Sequence, residues 1–388
     1  MAIGCGPTYE EIALADSLRA WTAAVEGASD WIAAALRRGA TPLDMAIDWL
    51  RWARVVADRR RPAWASPHRV RFEEPLARLR DFTPPARARA RVVPTLVLPP
   101  QAGHDSCIVD YSSQQSQMRA ILDAGLERAF ALDWVGATRQ TRDASIDDYL
   151  EVVDRAIDEI GGPVNLIGDC QGGWLATIYA ALEPQRVNTL TIAGAPVDFH
   201  AGDPVIVSAM RSLAPGGNLA FYRALVAAGG GVLRGEHLLA GFIAINPDNE
   251  IGRQLKLLAN IDDEAHVARY REFEDWFKHT QAVPGAFYLW IVERLFRDNG
   301  LVAGELELRG RRVELSRIRC PLGLLGGESD HITPPAQVFA LADHAATPAG
   351  EVIRDTCPGG HLGLFMGREA LTRHWPALLE AVRARSEP

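Results

Sequence analysis

Cys170 stands in the run Gly168-Asp169-Cys170-Gln171-Gly172-Gly173, which follows a short apolar segment and precedes a stretch that predicts a helix. Glycines two residues before and after a nucleophile are typical of the nucleophile elbow, a strand-to-helix turn too tight for side chains at those positions. A thiol at this turn lies at a helix N-terminus, where the dipole favours a thiolate and an adjacent oxyanion. The pattern predicts a nucleophile for acyl transfer; the alternative is a glycine-rich turn with an inert buried cysteine.

Two later residues supply the acid and the base that such a nucleophile needs, in the chain order expected after an elbow. Asp330 follows the apolar segment 322–325, and His361 follows the segment 351–353. Cys170 would attack a carbonyl carbon, His361 would take its proton and later return one, and Asp330 would orient the imidazole. We therefore predict a catalytic triad of Cys170, Asp330 and His361.

The oxyanion hole of an elbow enzyme draws its donors from two loops. One donor is the backbone N–H of the residue after the nucleophile, which is Gln171 here. The other comes from the loop after an earlier strand, predicted at 92–98 and followed by residues 101–104. We therefore predict Gln171, Ala102 and Gly103 as the oxyanion-hole residues.

Three polar residues beside these positions are candidate auxiliary site residues. His331 is either a second base or a loop residue that is hydrogen-bonded nearby, and His104 is either a site residue or a polar residue at a helix start. Asp169 is unexpected, because a carboxylate next to the thiol disfavours the thiolate unless the carboxylate is paired or points away.

Short apolar segments rich in β-branched residues alternate with helical patterns over much of the chain. The segments predict strands and helices in alternation, and this order is typical of a mostly parallel, doubly wound sheet of the α/β class. With an elbow at the end of one strand, we predict an α/β-hydrolase fold. The predicted strands are 92–98, 129–134, 164–167, 189–193, 322–325 and 351–353, and the predicted helices between them include 118–125, 146–160 and 174–182.

Two other regions are predicted to be helical. Residues 1–85 form an N-terminal helical, arginine-rich segment, and residues 203–310 form a helical cap inserted over the carboxyl edge of the sheet, so that 86–202 and 311–388 make up the core. From Arg51 to Arg91 the chain carries 12 arginines against 4 acidic residues. This excess indicates either an anion site or partner-binding face, or an ordinary solvated surface.

The composition excludes several classes of protein. The 388-residue chain has a formal charge of −8, which argues against a nucleic-acid partner. No stretch reaches the roughly 18 apolar residues of a membrane span, and the first residues lack a signal-peptide pattern, so we predict a cytoplasmic protein. The spacing of the cysteines and histidines predicts neither a disulfide framework nor a metal site, and we expect no cofactor. The five cysteines are Cys5, Cys107, Cys170, Cys320 and Cys357.

Several motifs together resemble the polyhydroxyalkanoate synthase family, from about residue 90 to 200 and again from 311 to 370, more weakly through the cap. The resemblance implies a Cys-His-Asp acyltransferase of the α/β-hydrolase fold that polymerises 3-hydroxyacyl-CoA, with these roles for Cys170, His361 and Asp330. The motifs are Pro99-Pro100, Ile108-Val109-Asp110, Ala131-Leu132-Asp133-Trp134, Asp147-Asp148-Tyr149, the run from Gly168 to Gly173, Asp330-His331-Ile332-Thr333-Pro334, and Gly360-His361-Leu362-Gly363.

Some residues depart from the synthase pattern. Asp169 stands where the synthases usually have an aromatic or apolar residue. Gly103-His104, Cys170-Gln171 and Ala195-Pro196-Val197-Asp198 are more similar to the intracellular polyhydroxyalkanoate depolymerases, which also use cysteine. The cap, from Gly229 to Gly304, is similar to a third, synthase-like branch.

We therefore expect an acyl-Cys170 enzyme whose acyl group passes to a hydroxyl, as in polyester synthesis, or to water, as in depolymerisation. Its expected partners are 3-hydroxyacyl-CoA, with CoA as part of the substrate, or a hydroxyacid polyester, and the resemblance allows a homodimer. The alternatives are a non-catalytic granule- or partner-binding scaffold, and a biosynthetic acyltransferase or thioesterase with a carrier-bound substrate. The aromatic residues of the cap predict an apolar acyl pocket or helix packing: Phe242, Trp276, Phe287, Trp290 and Phe296.

Overall fold

The computed structural model describes residues 9–87, 91–202 and 204–387, with the side chains described from residue 17 onward. These residues form two compact units. The described part of residues 1–62, together with His237–His279, makes the helical unit. Ala63–Glu236 and the described residues from Thr280 onward make the sheet unit.

The strands are short and most of them belong to the sheet unit's main sheet. In chain order they are β1 (Arg69–Glu73), β2 (Ala77–Asp81), β3 (Thr95–Leu98), β4 (Asp110–Ser112), β5 (Gln115–Ser116), β6 (Ala129–Trp134), β7 (Val164–Asp169), β8 (Val187–Ala193), β9 (Val232–Leu233), β10 (Val283–Pro284), β11 (Glu307–Leu308), β12 (Arg311–Arg312), β13 (Leu322–Gly327) and β14 (Val352–Cys357).

The helices range from one turn to 29 residues, the length of the first. In chain order they are α1 (Tyr9–Arg37), α2 (Pro42–Ala57), α3 (Gln117–Asp123), α4 (Ile146–Ile160), α5 (Gln171–Leu182), α6 (Val205–Leu213), α7 (Ala220–Ala228), α8 (Gly235–Ile245), α9 (Pro247–Ala259), α10 (Glu264–Phe277), α11 (Gly285–Trp290), α12 (Gly300–Ala303), α13 (Pro335–Phe339), α14 (Leu341–His344), α15 (Gly363–Met366) and α16 (Trp375–Ala384).

The main sheet has the order β1-β2-β6-β3-β7-β8-β13-β14. The pairs β1–β2 and β2–β6 are antiparallel, and every pair from β6 to β14 is parallel. This order, with a strand-to-helix turn after β7, is that of the α/β-hydrolase fold, so the predicted fold is confirmed. The register aligns Leu98 with Gly168 and Asp169 with Ala193, which brings the carboxyl ends of β3, β7 and β8 to one edge.

The core of the sheet unit is built on its central strands. All residues of β3, β6 and β7 are buried, as expected for strands covered on both faces. Helix α5 is buried from Gly172 to Leu182, because its sequence is apolar on every side. The turn between β7 and α5 therefore has rigid support on both sides.

The arginine-rich segment differs from the helical prediction for residues 1–85. Its first part forms α1 and α2, but β1 and β2 are two antiparallel strands of the main sheet. The reason is the alternation in β2, which buries Ala77, Leu79 and Asp81 while Arg78 and Arg80 pair with Asp133. Charged side chains of this kind are common on strands at a sheet edge, and they obscured the period of two. The division into N-terminal segment, core and cap stays a prediction.

The helical unit is held by packing and by one buried charge cluster. Val55 of α2 packs with Leu257, Ile261 and Tyr270. Glu274 has no exposed surface, and its carboxylate forms ion pairs with Arg253 at 2.7 Å and with Arg59 at 3.3 Å.

Candidate active site

Cys170 occupies a strained turn between β7 and α5. Its φ of 50° and ψ of −118° lie in a region that residues with a side chain rarely adopt. The turn is held by hydrogen bonds from Cys170 N–H to Ala193 O, at 2.9 Å, and from Gly173 N–H to Cys170 O, at 2.9 Å. The thiol-bearing residue is thus fixed directly before the first turn of a buried helix.

The glycines of the elbow are required by close backbone contacts. A Cβ atom at Gly172 would lie 1.9 Å from Leu98 O, and one at Gly168 would lie 2.5 Å from Gly172 O. The contacted atoms belong to the backbone of a buried strand and of a buried helix, so neither can move aside easily. The contact at Gly172 also shows that the chain leaving β3 runs directly against the start of α5.

The imidazole of His361 connects Cys170 to Asp330. His361 Nδ1 lies 2.7 Å from Asp330 Oδ2, and Cys170 is near enough to the same ring to raise its pKa. Asp330 Oδ1 accepts backbone N–H groups of Ile332 at 3.0 Å and Thr333 at 2.8 Å, so this carboxylate has a fixed orientation. The structure therefore brings the three predicted triad residues together.

The environment of His361 favours the imidazolium. Burial alone would lower the pKa of His361, but the negative charges and hydrogen bonds of Cys170 and Asp330 raise it well above its usual value. The ring is fixed by Phe365, which meets it edge-on at 5.3 Å, and by Gly194. Gly194 has a φ of 51°, and a Cβ there would lie 3.3 Å from His361 Cε1.

The loop after β3, which was predicted to supply oxyanion donors, is fixed by hydrogen bonds to other parts of the sheet unit. Gln101 Nε2 donates to the hydroxyl of Tyr149 at 2.9 Å, and Gly103 O accepts the N–H of Gln281 at 2.8 Å. Ala102 is buried between them. Because β3 and β7 are parallel neighbours, this loop and Gln171 both follow strands that end at the same edge of the sheet. Their role as an oxyanion hole stays a prediction.

Of the candidate auxiliary residues, the two histidines make local contacts. His331 Nδ1 lies 3.3 Å from Ser329 O, within its own loop. His104 is buried and forms an isolated antiparallel bridge with Thr280. The next helical element is a 3-10 turn at Ser106–Val109, and its N-cap is Asp105 rather than His104.

Asp169 is wholly buried at the end of β7. Its Oδ1 accepts a hydrogen bond from Gln117 Nε2 at 3.2 Å, whereas no group in the described part of the chain hydrogen-bonds to its Oδ2. Burial raises the pKa of Asp169 to about 8, against the opposing effects of the Gln117 hydrogen bond and the His361 charge. The carboxyl group of Asp169 is therefore paired with Gln117, which is one of the two arrangements that the sequence analysis expected, but only through one oxygen.

Sequence reasoning missed three residues that shape this site. The side chain of Gln117 donates to Asp169, and Gly194 lies beside the ring of His361. The hydroxyl of Tyr149 accepts a hydrogen bond from Gln101 in the loop after β3. Tyr149 belongs to a motif quoted above, but its contact with Gln101 has no local signal. Gln117 is 52 residues from Asp169 and shows no signal at all.

Most of the aromatic residues predicted to line an acyl pocket pack against other aromatic rings. Phe287 is 1% exposed and stacks on Tyr149 with ring centroids 4.2 Å apart, while Trp290 lies 6.2 Å from Trp174. Phe296 contacts Phe199, and Trp276 in the helical unit is buried. These contacts favour the helix-packing interpretation.

Burial disfavours the thiolate at the other described cysteines. Burial raises the pKa of the Cys320 thiol to about 12 and that of Cys107 well above its usual value, and it also raises that of Cys357. A neutral buried thiol is a poor nucleophile. Cys5 lies outside the described residues.

Many arginines of the segment 51–91 are committed to ion pairs. Arg71 pairs with Glu159, Arg80 with Asp133 and Arg87 with Glu127. This pairing favours the solvated-surface interpretation. Within the described ranges no three His, Cys, Asp or Glu side chains form a group able to hold a metal ion, and no described helix has the length and apolar character needed to cross a bilayer.

The comparisons with known proteins agree with the motifs. The family described as "Protein of unknown function (DUF3141)" matches residues 72–354. The chain is 28% identical over 289 residues to the poly(3-hydroxyalkanoate) polymerase subunit PhaC of Haloferax mediterranei, covering 72% of this chain and 56% of that protein. It is 26% identical over 316 residues to the PhaC subunit of Allochromatium vinosum, covering 80% of this chain and 86% of that protein.

Solved structures with a related backbone include a hydrolase of Pseudomonas aeruginosa, at 19% identity and a TM-score of 0.47, covering 80% of this chain and 94% of that one. The chain spans little more than half the length of the Haloferax relative. The resemblance to polyhydroxyalkanoate synthases is nevertheless confirmed by several relatives of that name. Because the family match covers well over half of the sequence, the chain belongs to the DUF3141 family, and it is a homologue of the poly(3-hydroxyalkanoate) polymerases.

Proposed function

We propose that this chain is an acyltransferase that takes a 3-hydroxyacyl group from CoA onto Cys170 and passes it to a hydroxyl. The observation that carries the proposal is the buried imidazole of His361, which hydrogen-bonds Asp330 and interacts with Cys170 at the N-terminus of a buried helix. The similarity to poly(3-hydroxyalkanoate) polymerases supports the substrate class.

In the first half-reaction Cys170 gives its proton to His361, and the thiolate attacks the carbonyl carbon of the thioester. The resulting oxyanion is stabilised by the N–H of Gln171 and by the loop containing Ala102 and Gly103. The C–S bond to CoA breaks, and the imidazolium returns its proton to the departing CoA sulfur. The products are free CoA and an acyl-Cys170 thioester.

In the second half-reaction the acceptor is the hydroxyl of another 3-hydroxyacyl group. His361 takes the hydroxyl proton, the oxygen attacks the acyl-Cys170 carbonyl, and the C–S bond breaks to return Cys170 with its proton. The product is an ester longer by one unit. Water in place of the hydroxyl would give a free hydroxy acid, which is the depolymerase-like outcome.

A cysteine nucleophile suits a thioester substrate. Transfer from CoA to Cys170 exchanges one thioester for another, so the acyl-enzyme keeps the reactivity of the substrate for the attack by a hydroxyl. The imidazolium favoured at His361 is the acid that the departing CoA sulfur needs.

The test is release of free CoA from 3-hydroxybutyryl-CoA by the purified protein and by Cys170→Ala, followed by sizing of the acyl products. We expect Cys170→Ala to lose on the order of 10³-fold or more in rate, as removal of a catalytic nucleophile does. Cys320→Ala, which removes a thiol outside the site, is the matched control and should release CoA at the wild-type rate.

Polymer in the product would support synthesis, and free hydroxy acid would favour hydrolysis. Equal CoA release by Cys170→Ala and the wild type would overturn the proposed nucleophile. Absence of CoA release from every protein would overturn the CoA-dependent reaction for this substrate.

A further inference from the structure

Asp169 is a buried acid that the proposed reaction does not use, although it is adjacent to the proposed nucleophile. It is the last residue of β7 and has no exposed surface, and within the described ranges its carboxyl group accepts one hydrogen bond, from Gln117 on α3. An amide is an uncharged partner, so this carboxyl has no hydrogen-bonded counter-charge among the described residues, and the charge of His361 acts on it only through space.

The pair contains two buried oxygens without a donor. Among the described residues nothing hydrogen-bonds to Asp169 Oδ2 or to Gln117 Oε1. The other polar atoms of these two side chains, Asp169 Oδ1 and Gln117 Nε2, are bonded to each other. When Asp169 is ionised, Asp169 Oδ2 and Gln117 Oε1 can only accept hydrogen bonds, so they cannot bond to each other. One proton on Oδ2 removes the conflict, because the resulting O–H can donate to Oε1.

We infer that Asp169 carries a proton in the active protein, donates it to Gln117 Oε1, and limits the reaction at Cys170 when it ionises at alkaline pH. The inference about the reaction rests on the proposed function; the inference about the proton does not. Burial raises the pKa of Asp169 to about 8, which agrees with an acid that is neutral at physiological pH.

The groups around Asp169 explain the consequence of ionisation. Cys170 follows it in the chain, His361 is the charged side chain that interacts with it electrostatically, and Ala193 on the paired strand is uncharged. Asp110, close to Gln117 in the chain, is already bonded to Ser66 and Ser116. A negative charge on Asp169 would therefore act on Cys170 and His361, and it would disfavour the negative charge that develops on the thiolate and the oxyanion.

The proton is tested directly by infrared difference spectroscopy between about pH 7 and about pH 10, a range that spans the expected ionisation. The wild type should lose the C=O band of a protonated carboxyl group as the pH rises, and Asp169→Asn should lack this component. Asparagine keeps the shape of the pair, since its amide can accept from Gln117 Nε2 and donate to Oε1. An identical difference spectrum in both proteins would overturn the inference.

The effect on the reaction is tested by the pH dependence of kcat/KM for CoA release. In Asp169→Asn the alkaline midpoint should rise by about one pH unit or more. An unchanged midpoint beside the expected infrared result would overturn the link to the reaction. If no protein releases CoA, the proposed function fails while the infrared result still decides the proton.

A second variant keeps the test decisive if Asp169→Asn does not fold. Gln117→Met removes the amide donor that favours the ionised carboxylate, so the protonated band should persist to higher pH than in the wild type. Loss of the band at the same or lower pH would contradict the inference.

Discussion

Glu274 in the helical unit and Asp169 in the sheet unit are both wholly buried carboxyl groups, yet their partners are opposite in kind. Glu274 binds two guanidinium groups, those of Arg253 and Arg59, one on each carboxylate oxygen. Asp169 binds one amide, that of Gln117, and leaves an oxygen without a donor from the described residues. The carboxylate of Glu274 is therefore paired with two positive charges, whereas the carboxyl group of Asp169 is hydrogen-bonded to an uncharged amide.

The difference separates a structural role from a chemical one. Two arginines offset the cost of burying Glu274, so its carboxylate joins α10 to α9 and to the segment that follows α2. Among the described residues Asp169 has no ion-pair partner, and buried acids with strongly raised pKa values are found preferentially at functional sites. Its position next to Cys170 agrees with that rule.

Asp330 extends the comparison, because it is buried and its main partner is the imidazole of His361. Asp330→Asn should lower kcat on the order of 10³-fold, since asparagine can hold the ring in the wrong tautomer and does not stabilise the imidazolium. The measurement is the rate of CoA release. Asp343→Asn, on an exposed residue of the sheet unit, is the control, and equal rates for the two variants would contradict the role of Asp330.

Glu274→Gln should destabilise the protein by about 2–4 kcal/mol, because it removes the charge that Arg253 and Arg59 share. The expected loss of stability is smaller than for a fully buried ion pair, because both arginine side chains remain about a quarter exposed. Chemical denaturation measures it, with Glu272→Gln on the exposed face of the same helix as control. A difference below about 0.5 kcal/mol would place Glu274 among ordinary surface ion pairs.

Asp169→Asn should have the smallest effect and the clearest dependence on pH. The folded-state pKa of Asp169 is raised, so the folded protein binds more protons than the unfolded chain between the two pKa values, and stability falls as the pH rises. The wild type should therefore lose about 1 kcal/mol more than Asp169→Asn between about pH 7 and about pH 9. Parallel stability curves would show that Asp169 is not protonated at neutral pH.

The comparison also shows what the sequence could predict. Cys170, Asp330 and His361 each follow a strand that local apolar patterning marks, so their meeting at one sheet edge follows from the parallel order. The strands β1 and β2 were not predicted, because arginines at alternate positions are also typical of a solvated surface. Their acidic partners come from distant parts of the chain and are visible only in the structure. The Gln117–Asp169 pair joins residues far apart in the chain, and no local pattern encodes such a contact.

The most direct test of the account is the mass of the protein after brief exposure to 3-hydroxybutyryl-CoA, quenched in acid and digested. We expect one 3-hydroxybutyryl group on the peptide that contains Cys170, and no such adduct in Cys170→Ala. An adduct on another cysteine, or CoA release without any adduct on the trapped enzyme, would contradict an acyl-enzyme at Cys170.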